Sequence, residues 1–203
     1  MIEYFLERPY LIAILVILVV ITIFVCIKAG QASAKRGRAN EKILKKLKEE
    51  NELRNEFSVL TESSIKKADP SRLFKGVALN LQKRVSDADN MEKEFEKLTQ
   101  EQKEIYALSF VVEDGSEKLS DFFRINGKPV TALAFDAVKR LFDENVYDVF
   151  EAEYNAFDSD NESVSFIQEN ITKADDKFLS VVDEKTVCAA GGRFIAENFE
   201  KFM

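Results

Sequence analysis

Carboxylates are the main reactive side chains of this 203-residue sequence, because it contains no histidine and only two cysteines. The absence of histidine excludes the usual general acid–base groups, the serine and cysteine triads and the common zinc and di-iron ligand sets. Cys26 lies in an apolar run and Cys188 lies near the end of the sequence, which is typical of a disulfide-free protein from a reducing cytoplasm. We therefore expect a protein that is not an enzyme and that needs no cofactor.

Two patterns of carboxylates are similar to divalent-cation sites. Asp158–Glu162 followed by Glu169 is similar to a calcium loop, but Ser163 stands where the sharp turn needs glycine. The pairs Asp143–Glu144 and Asp175–Asp176 could hold Mg²⁺ with a substrate phosphate, but no glycine-rich phosphate loop accompanies them. We predict solvated helix caps, an acidic loop and no metal site. A carboxylate-based, metal-dependent enzyme acting on phosphorylated or lipid substrates is the alternative.

Acidic residues recur through residues 136–162 at spacings that place several of them on one helix face. Carboxylates at such spacings repel each other and cost stability unless something offsets them. This favours a docking surface for a basic protein, with a merely solvated helix face as the alternative. The predicted partner-binding residues are Asp136, Asp143, Glu144, Asp148, Glu151, Glu153, Asp158, Asp160 and Glu162.

Charge is divided unevenly along the sequence. Residues 1–85 carry 16 Lys and Arg against 9 Asp and Glu, whereas residues 86–203 carry 13 against 27. The second part repels DNA and anionic lipid and attracts a basic protein surface. We therefore expect a basic protein partner and no direct contact with nucleic acid.

An uncharged run of seventeen residues, Leu11–Ile27, lies near the start of the sequence. With its neighbours it is long enough to cross a hydrocarbon core of about 30 Å as a helix. The predicted transmembrane helix is residues 10–29, a signal anchor that inserts into the lipid bilayer. A cleaved secretory signal ending at Ala32–Ala34 is the alternative, and the acidic N-terminus and long apolar core disfavour it.

Basic residues follow this segment, whereas residues 1–9 carry two acids and one arginine. Lys and Arg beside a span stay on the cytoplasmic side. We therefore expect residues 1–9 outside the cytoplasm and the C-terminal part inside it, at the cell membrane. Near an anionic leaflet each basic residue contributes about 1 kcal/mol of attraction. The predicted membrane-surface basic cluster is Lys28, Lys35, Arg36 and Arg38.

The rest of the sequence predicts an all-α protein in three parts. Residues 30–60 are predicted to be a basic juxtamembrane hinge and a helical stalk, whose apolar seam is interrupted at Glu50–Asn51. Residues 61–69 are predicted to be a linker. A compact, acidic multi-helix domain is expected over residues 70–203, with proteolytic cleavage first in the hinge or in the linker. Weak self-association through the stalk or the domain is a further expectation.

Capping residues predict where the helices of the domain begin. Thr99 with Gln102 forms a capping-box pattern. Asp143 is expected to cap the second of two helices in residues 130–157. Ser116 is expected to cap a helix that begins at Leu119.

Glycines predict where the helices end. Asn126–Gly127 is expected to end a helix in the left-handed conformation. Gly191–Gly192 is expected to interrupt or precede the last helix, or to let two backbones approach each other. Two short helices are expected before it, over residues 164–170 and 173–183.

Several short motifs follow one another in order between Leu98 and Glu184. They are Leu98–Thr99 with Gln102 and Tyr106, Asp114–Gly115, Phe122–Phe123 with Asn126 and Gly127, the paired helices from Ala132 to Phe157, and Asp175–Phe178. This order resembles the bacterial DNA mimic protein family, although Ser116–Ser120 replaces the family's glycine-rich step. The resemblance implies a small all-helical domain with no agreed enzymatic activity. It also implies an acidic surface that imitates DNA phosphates toward a DNA-binding protein.

These observations predict a membrane-anchored acidic helical module that faces the cytoplasm and docks a basic protein, such as a nucleic-acid-binding protein. A membrane-tethered, immunity-type inhibitor of a basic toxin is a special case of this function. Salt-sensitive association is the expected signature, because exposed charges are screened beyond the Debye length.

Overall fold

The computed structural model describes residues 18, 22, 24, 28, 40–157 and 168–203. The predicted N-terminal segment, most of the predicted transmembrane helix at residues 10–29, the hinge up to residue 39 and the acidic loop at 158–163 lie outside the described residues. The four described residues before the hinge are helical. In the described ranges, no helix combines the length and the apolarity that a bilayer crossing requires.

The secondary structure of the described residues is helical and contains no strand, which confirms the predicted all-α class. The chain forms two compact units, Met1–Glu49 and Glu50–Met203, and we call the second unit the body. The α-helices from residue 40 onward are α1 (40–56), α2 (Glu62–Lys67), α3 (Pro70–Ser86), α4 (Met91–Glu96), α5 (Gln100–Asp114), α6 (Leu119–Ile125), α7 (Val130–Leu141), α8 (Glu144–Ala156), α9 (Gln168–Val181) and α10 (Glu184–Glu197), followed by a 3₁₀ turn at Phe199–Lys201.

Side-chain caps begin two helices as the sequence predicts. At the start of α5, Thr99 accepts a hydrogen bond from the Gln102 N–H, and the Gln102 side chain accepts one from the Thr99 N–H. At the start of α8, Asp143 accepts a hydrogen bond from the Val146 N–H at 3.1 Å. These bonds satisfy N–H groups that have no partner within the first turn of a helix. Both capping predictions are therefore confirmed.

Helix α5 forms the centre of the body. It packs against α3, α6, α7 and α10, and its Ile105, Ala107 and Leu108 are at most 1% exposed. Helix α8 packs against α7 and also against α9 and α6. Consequently α8 has only part of its circumference available to solvent, which matters for the acidic residues that it carries.

Gly191 and Gly192 lie in the interior of α10, so they neither interrupt nor precede this helix. A Cβ atom at Gly191 would meet the Phe74 ring of α3, and a Cβ atom at Gly192 would overlap the backbone of Pro70. Glycine allows the two helices to lie this close because it has no side chain. The alternative prediction, a close approach of two backbones, is confirmed.

The predicted left-handed helix end at Asn126–Gly127 is wrong, because no described residue has a positive φ. Instead the Asn126 side chain donates to the Phe122 carbonyl at 3.0 Å and to the Asp114 carboxylate at 2.8 Å. The Phe122 carbonyl also accepts a hydrogen bond from the Asn126 backbone N–H at 3.0 Å, so the backbone and the side chain of Asn126 together fix the end of α6.

In the described part of the region where two short helices are predicted, one helix, α9, runs continuously over Gln168–Val181. Ile171 and Phe178 of this helix are 1% and 4% exposed. Residues seven positions apart lie on the same helix face, so a single continuous helix buries both side chains together.

The body begins at Glu50 rather than at the predicted Pro70. The predicted linker at residues 61–69 contains α2, which Thr61 caps and whose Ile65 is only 3% exposed. Burial of an apolar side chain of this size contributes about 1.5–3 kcal/mol, which a solvated linker would forgo. The linker prediction is therefore wrong.

The end of α1, which belongs to the body, and the residue that follows it are bonded to α3. Phe57 is 3% exposed, and its ring lies where a Cβ atom on Gly76 of α3 would stand. The Asn80 side chain donates to the backbone carbonyls of Arg54 and Phe57, both at 3.0 Å. The last turn of the predicted stalk is thus part of the folded core.

The beginning of α1 has three apolar side chains in solvent. Ile43, Leu44 and Leu47 are 56%, 59% and 53% exposed. The predicted helix over the stalk is confirmed from residue 40 onward. Self-association through these side chains stays a prediction.

Candidate functional site

The predicted docking residues of the body lie on α7 and α8 and at the turn between them. Phe135 of α7 stacks on Tyr154 of α8 with ring centroids 4.7 Å apart and lies 5.4 Å from the Tyr147 ring. Aromatic pairs of this kind contribute about 0.5–1.5 kcal/mol beyond their buried area, so they help to fix the two helices relative to each other. We call the following residues the acidic surface: the exposed Asp136, Asp143, Glu144 and Asp148, and the half-buried Glu151.

Three members of the acidic surface have no countercharge in the part of the chain that the structure describes. Asp136, Glu144 and Asp148 form no ion pair there, and Asp143 uses its carboxylate as the cap of α8. Carboxylates elsewhere in the body do pair, at 2.6 or 2.7 Å: Glu56 with Arg72, Glu94 with Arg84 and Lys97, and Glu184 with Lys75. Other exposed acids of the body, such as Asp89, Glu92 and Glu96, also lack a described ion pair, so the acidic surface is distinguished by carrying its three unpaired carboxylates on two helices that pack against each other.

The fifth member, Glu151, is bonded within α8. It accepts a hydrogen bond from the Tyr147 hydroxyl at 2.6 Å, and this bond is the main cause that raises the pKa of Tyr147. Lys139 of α7 lies over the same ring, with its Nζ 5.7 Å from the centroid. A cation over an exposed aromatic ring contributes about 0.5–1 kcal/mol. The ammonium group of Lys139 thus lies beside Glu151, at one edge of the acidic surface.

Glu153 does not belong to the acidic surface, contrary to the sequence prediction. Its side chain is 0% exposed, because this face of α8 is covered by neighbouring helices. Burial raises the pKa of Glu153 to about 8, with a further increase from the Asp175 charge and an opposing effect of Arg124. The carboxyl group is therefore mostly protonated at pH 7.

Asp175 is also buried, so the prediction that it is a solvated cap is wrong. It is 6% exposed, and it accepts hydrogen bonds from the Ser120 N–H and the Ser120 hydroxyl, both at 2.8 Å. Ser120 is the second residue of α6, whose N-cap residue, Lys118, makes no side-chain cap bond. Asp175 of α9 thus replaces the predicted cap, Ser116. Its neighbour Asp176 is exposed, as predicted.

The remaining predicted site residues fall mostly outside the described part of the chain. The exception is Lys28, whose Nζ lies 5.7 Å from the centroid of the Phe24 ring. The predicted residues without a described position are Asp158, Asp160, Glu162, Lys35, Arg36 and Arg38.

Glu104 is a buried carboxylate that the sequence analysis does not single out. It is 0% exposed and accepts a hydrogen bond from Gln100 at 3.2 Å, and Arg140 of α7 lies 3.2 Å from the same oxygen. Its second oxygen has no described hydrogen-bond partner. Burial raises the pKa of Glu104, while Gln100 and Arg140 lower it. The available sequence signal is the apolar composition of α5 on more than one face, which is typical of a central helix.

Cys188 lies beside one of the clefts of the body. This cleft, of about 390 Å³, is lined by Ser71, Lys75, Glu184 and Cys188, among others. Cys188 itself is 0% exposed, and burial raises the pKa of its thiol to about 11. The thiol is therefore inert at neutral pH, as predicted for a small core residue. Within the described residues, no group of three or more acidic or cysteine side chains is placed to hold a metal ion.

The motifs that resemble the DNA mimic protein family have structural roles in the body. Thr99 and Gln102 form the capping box, Asn126 bonds to Asp114, and Asp175 caps α6. These contacts explain why such motifs suit an all-helical domain, and they carry no information about a partner.

Comparison of the chain with known proteins gives no match: no family model, no curated protein and no solved structure is significantly similar to it.

Proposed function

We propose that this chain is a membrane-anchored acidic module that docks a basic protein partner at the cytoplasmic face of the cell membrane. The observation that supports the docking function is that Asp136, Glu144 and Asp148, on two neighbouring helices, form no ion pair with any residue that the structure describes. Like charges on a shared surface repel each other. A partner rich in Lys and Arg offsets this repulsion when it binds, so the same residues that cost stability in the free protein contribute to the complex.

The magnitude of these interactions determines the kind of binding. An exposed ion pair contributes about 0–1 kcal/mol, and at 0.15 M salt charges are screened beyond about 8 Å. A few such pairs give fast, salt-sensitive association rather than tight binding. We therefore expect a complex that forms and dissociates readily, with additional apolar contacts where affinity is high.

The proposed anchor is the apolar segment at residues 10–29, and the basic residues after it orient the body toward the cytoplasm. Attachment to a membrane confines the acidic surface to a layer near the bilayer. Partners at the membrane then meet it at a higher effective concentration.

A nucleic-acid-binding protein is one candidate for the basic partner. Such proteins carry Lys and Arg on the surface that contacts phosphates. A row of carboxylates on a helical surface offers them a similar charge pattern.

The full-length chain reconstituted in phosphatidylcholine vesicles tests both parts of the proposal in one flotation experiment. The chain should float with the vesicles, and a Lys/Arg-rich peptide should float only when the chain is present. Replacement of Asp136, Glu144 and Asp148 by lysine should abolish flotation of the peptide while the chain still floats. The bound peptide should also decrease steeply between low salt and 0.5 M salt, at which the Debye length is about 4 Å.

The matched control replaces three exposed acids of another region, Asp89, Glu92 and Glu96, by lysine. This variant has the same net charge as the first. Equal loss of peptide in both variants, or peptide binding that is insensitive to salt, would contradict the docking surface. A chain that stays at the bottom of the gradient would contradict the anchor alone.

A further inference from the structure

Two carboxyl groups outside the acidic surface, those of Glu153 and Asp175, lie between helices inside the body. Glu153 of α8 is 0% exposed, and Asp175 of α9 is 6% exposed. The two helices pack against each other, and both contact α6. Asp175 is close enough to Glu153 for its charge to act on that group. Two acids are therefore buried where three helices meet.

The two carboxyl groups differ in their hydrogen bonds. Both oxygens of Asp175 accept bonds from Ser120 at 2.8 Å. By contrast, neither oxygen of Glu153 has a hydrogen-bond partner in the described structure. An ionised carboxylate without donors in a protein interior costs several kcal/mol. Asp175 is bonded in a way that suits a charge, and Glu153 is not.

The described charged groups around Glu153 do not form a salt bridge with it. From α6, Arg124 lowers the pKa of Glu153 but is exposed, with its Nη1 3.3 Å from Asp121 and its guanidinium over the Phe157 ring. From α9, Asp175 adds a like charge. The other described charged side chains of α6, α7, α8 and α9, together with Lys118 before α6, are half-buried or exposed. They are Lys118, Asp121, Asp136, Lys139, Arg140, Glu144, Asp148, Glu151, Lys173, Asp176 and Lys177.

We propose that Glu153 makes the packing of α9 on α8 and α6 responsive to pH, with the protonated carboxyl in the closed arrangement and the ionised carboxyl in an open one. Opening exposes Glu153 to water, where it releases its proton. Because Asp175 moves with α9, opening also removes the cap of α6. The switch therefore acts on three helices at once, and it does not depend on the proposed function.

The direction of the effect follows from linkage between proton binding and opening. In the closed state the carboxyl keeps its proton up to a pKa of about 8, whereas the ordinary value of a glutamate is 4.5. The open state thus binds fewer protons throughout this window. The stability of the closed state is complete below the lower value and is lost progressively as pH rises through the window to about 8.

Hydrogen exchange of the full-length chain measures this effect. Protection factors of the α9 amides, corrected for the intrinsic exchange rate, should fall by up to tenfold per pH unit between about pH 5 and about pH 8, because one proton is released on opening. Amides of α3, which packs on α10 and α5, should change less. Equal pH slopes in α3 and α9 would overturn the proposal.

Substitution separates Glu153 from other titrating groups. Glu153→Gln and Glu153→Met should each abolish the extra slope of α9, since neither side chain ionises. Glu151→Gln, two positions away on the same helix and half-buried, should leave the slope as it is in the wild type. Persistence of the extra slope in both Glu153 variants would also overturn the proposal. Equal slopes of α9 and α3 in the wild type overturn the proposal even where a variant does not fold.

Discussion

At the scale of single residues, hydrogen bonds between residues far apart in the sequence join helices of the body. Asp175 and Ser120 are 55 positions apart, and their two hydrogen bonds attach α9 to the first turn of α6. A helix normally takes its cap from the residue just before it. Here α6 depends on a helix that follows much later in the chain, so the stability of the two helices is coupled.

Replacement of Asp175 by alanine should lower the free energy of unfolding by about 1–3 kcal/mol, because it leaves the buried Ser120 N–H without a partner. Urea denaturation followed by circular dichroism measures this loss. Asp176→Ala, at an exposed neighbouring position, should stay within about 0.5 kcal/mol of the wild type. An equal effect of both substitutions would mean that helix propensity, and not the cap, is responsible.

The sequence separates exposed from buried acids only in part. Glu151 and Glu153 have the same residue type and lie in the same acidic stretch, yet only Glu153 is fully buried. The difference arises because α9 covers one side of α8, and a helical periodicity cannot identify which later helix will cover which face. The acids at positions 136, 143, 144 and 148 are predicted correctly as exposed, because they lie outside that contact.

At the scale of helices, two glycines allow α3 and α10 to lie very close to each other. Two adjacent glycines of α10 face Phe74 and Pro70 of α3. Glycine in a helix interior costs about 1 kcal/mol relative to alanine. The contact must contribute more than this cost, since both glycines lie in a helix that is otherwise well formed.

Gly192→Ala should therefore destabilise the protein although it improves helix propensity. The new Cβ atom would strike the Pro70 backbone, which has less freedom to move than a side chain. Overpacking of this kind costs about 1–3 kcal/mol or more, which exceeds the gain of about 1 kcal/mol in propensity. Thermal unfolding should show a lower midpoint. The control Gly127→Ala, where nothing lies within 4 Å of the new atom, should be close to neutral, and an equally unstable control would contradict the explanation.

Helix starts with a capping side chain are predicted from the sequence better than the roles of glycines. The capping box at Thr99 and the cap at Asp143 are local signals, and the structure contains both. Glycine signals are ambiguous, because the same residue serves a turn or a close contact. Gly191–Gly192 serves a contact with a helix more than a hundred residues away, which no local pattern reveals.

At the scale of the whole molecule, the boundary of the folded body determines which part can be separated from the rest. Phe57 and Ile65 are each 3% exposed, so the segment before Pro70 contributes to the core. The composition of residues 61–69 is typical of a linker, but one buried isoleucine is sufficient to hold a short helix against a larger domain. The composition of a segment indicates its polarity, but it does not reveal that one side chain, Ile65, is buried in the core.

Limited trypsin digestion of the full-length chain should yield a fragment that begins after Lys45, Lys46 or Lys48. Cleavage needs a segment that opens locally. These sites lie in the exposed part of α1 that precedes the body, whereas Lys66 and Lys67 lie in α2, whose Ile65 is buried. Mass spectrometry of the first stable fragment identifies its start. A first fragment that begins directly after Lys67 would support the boundary near residue 70 and contradict the one at Glu50.

The contact between α3 and α10 also has a consequence for synthesis on the ribosome. The ion pair between Lys75 and Glu184, at 2.6 Å, joins positions 109 residues apart, and Gly191 of α10 packs against Phe74. Translation proceeds from the N-terminus, so α3 emerges long before the helix that covers it. Contacts of such long sequence separation form late and leave apolar surface exposed to aggregation in the meantime. The nascent chain must therefore keep Phe74 and its neighbours soluble, by transient contacts or by a chaperone, until its last helix has left the exit tunnel.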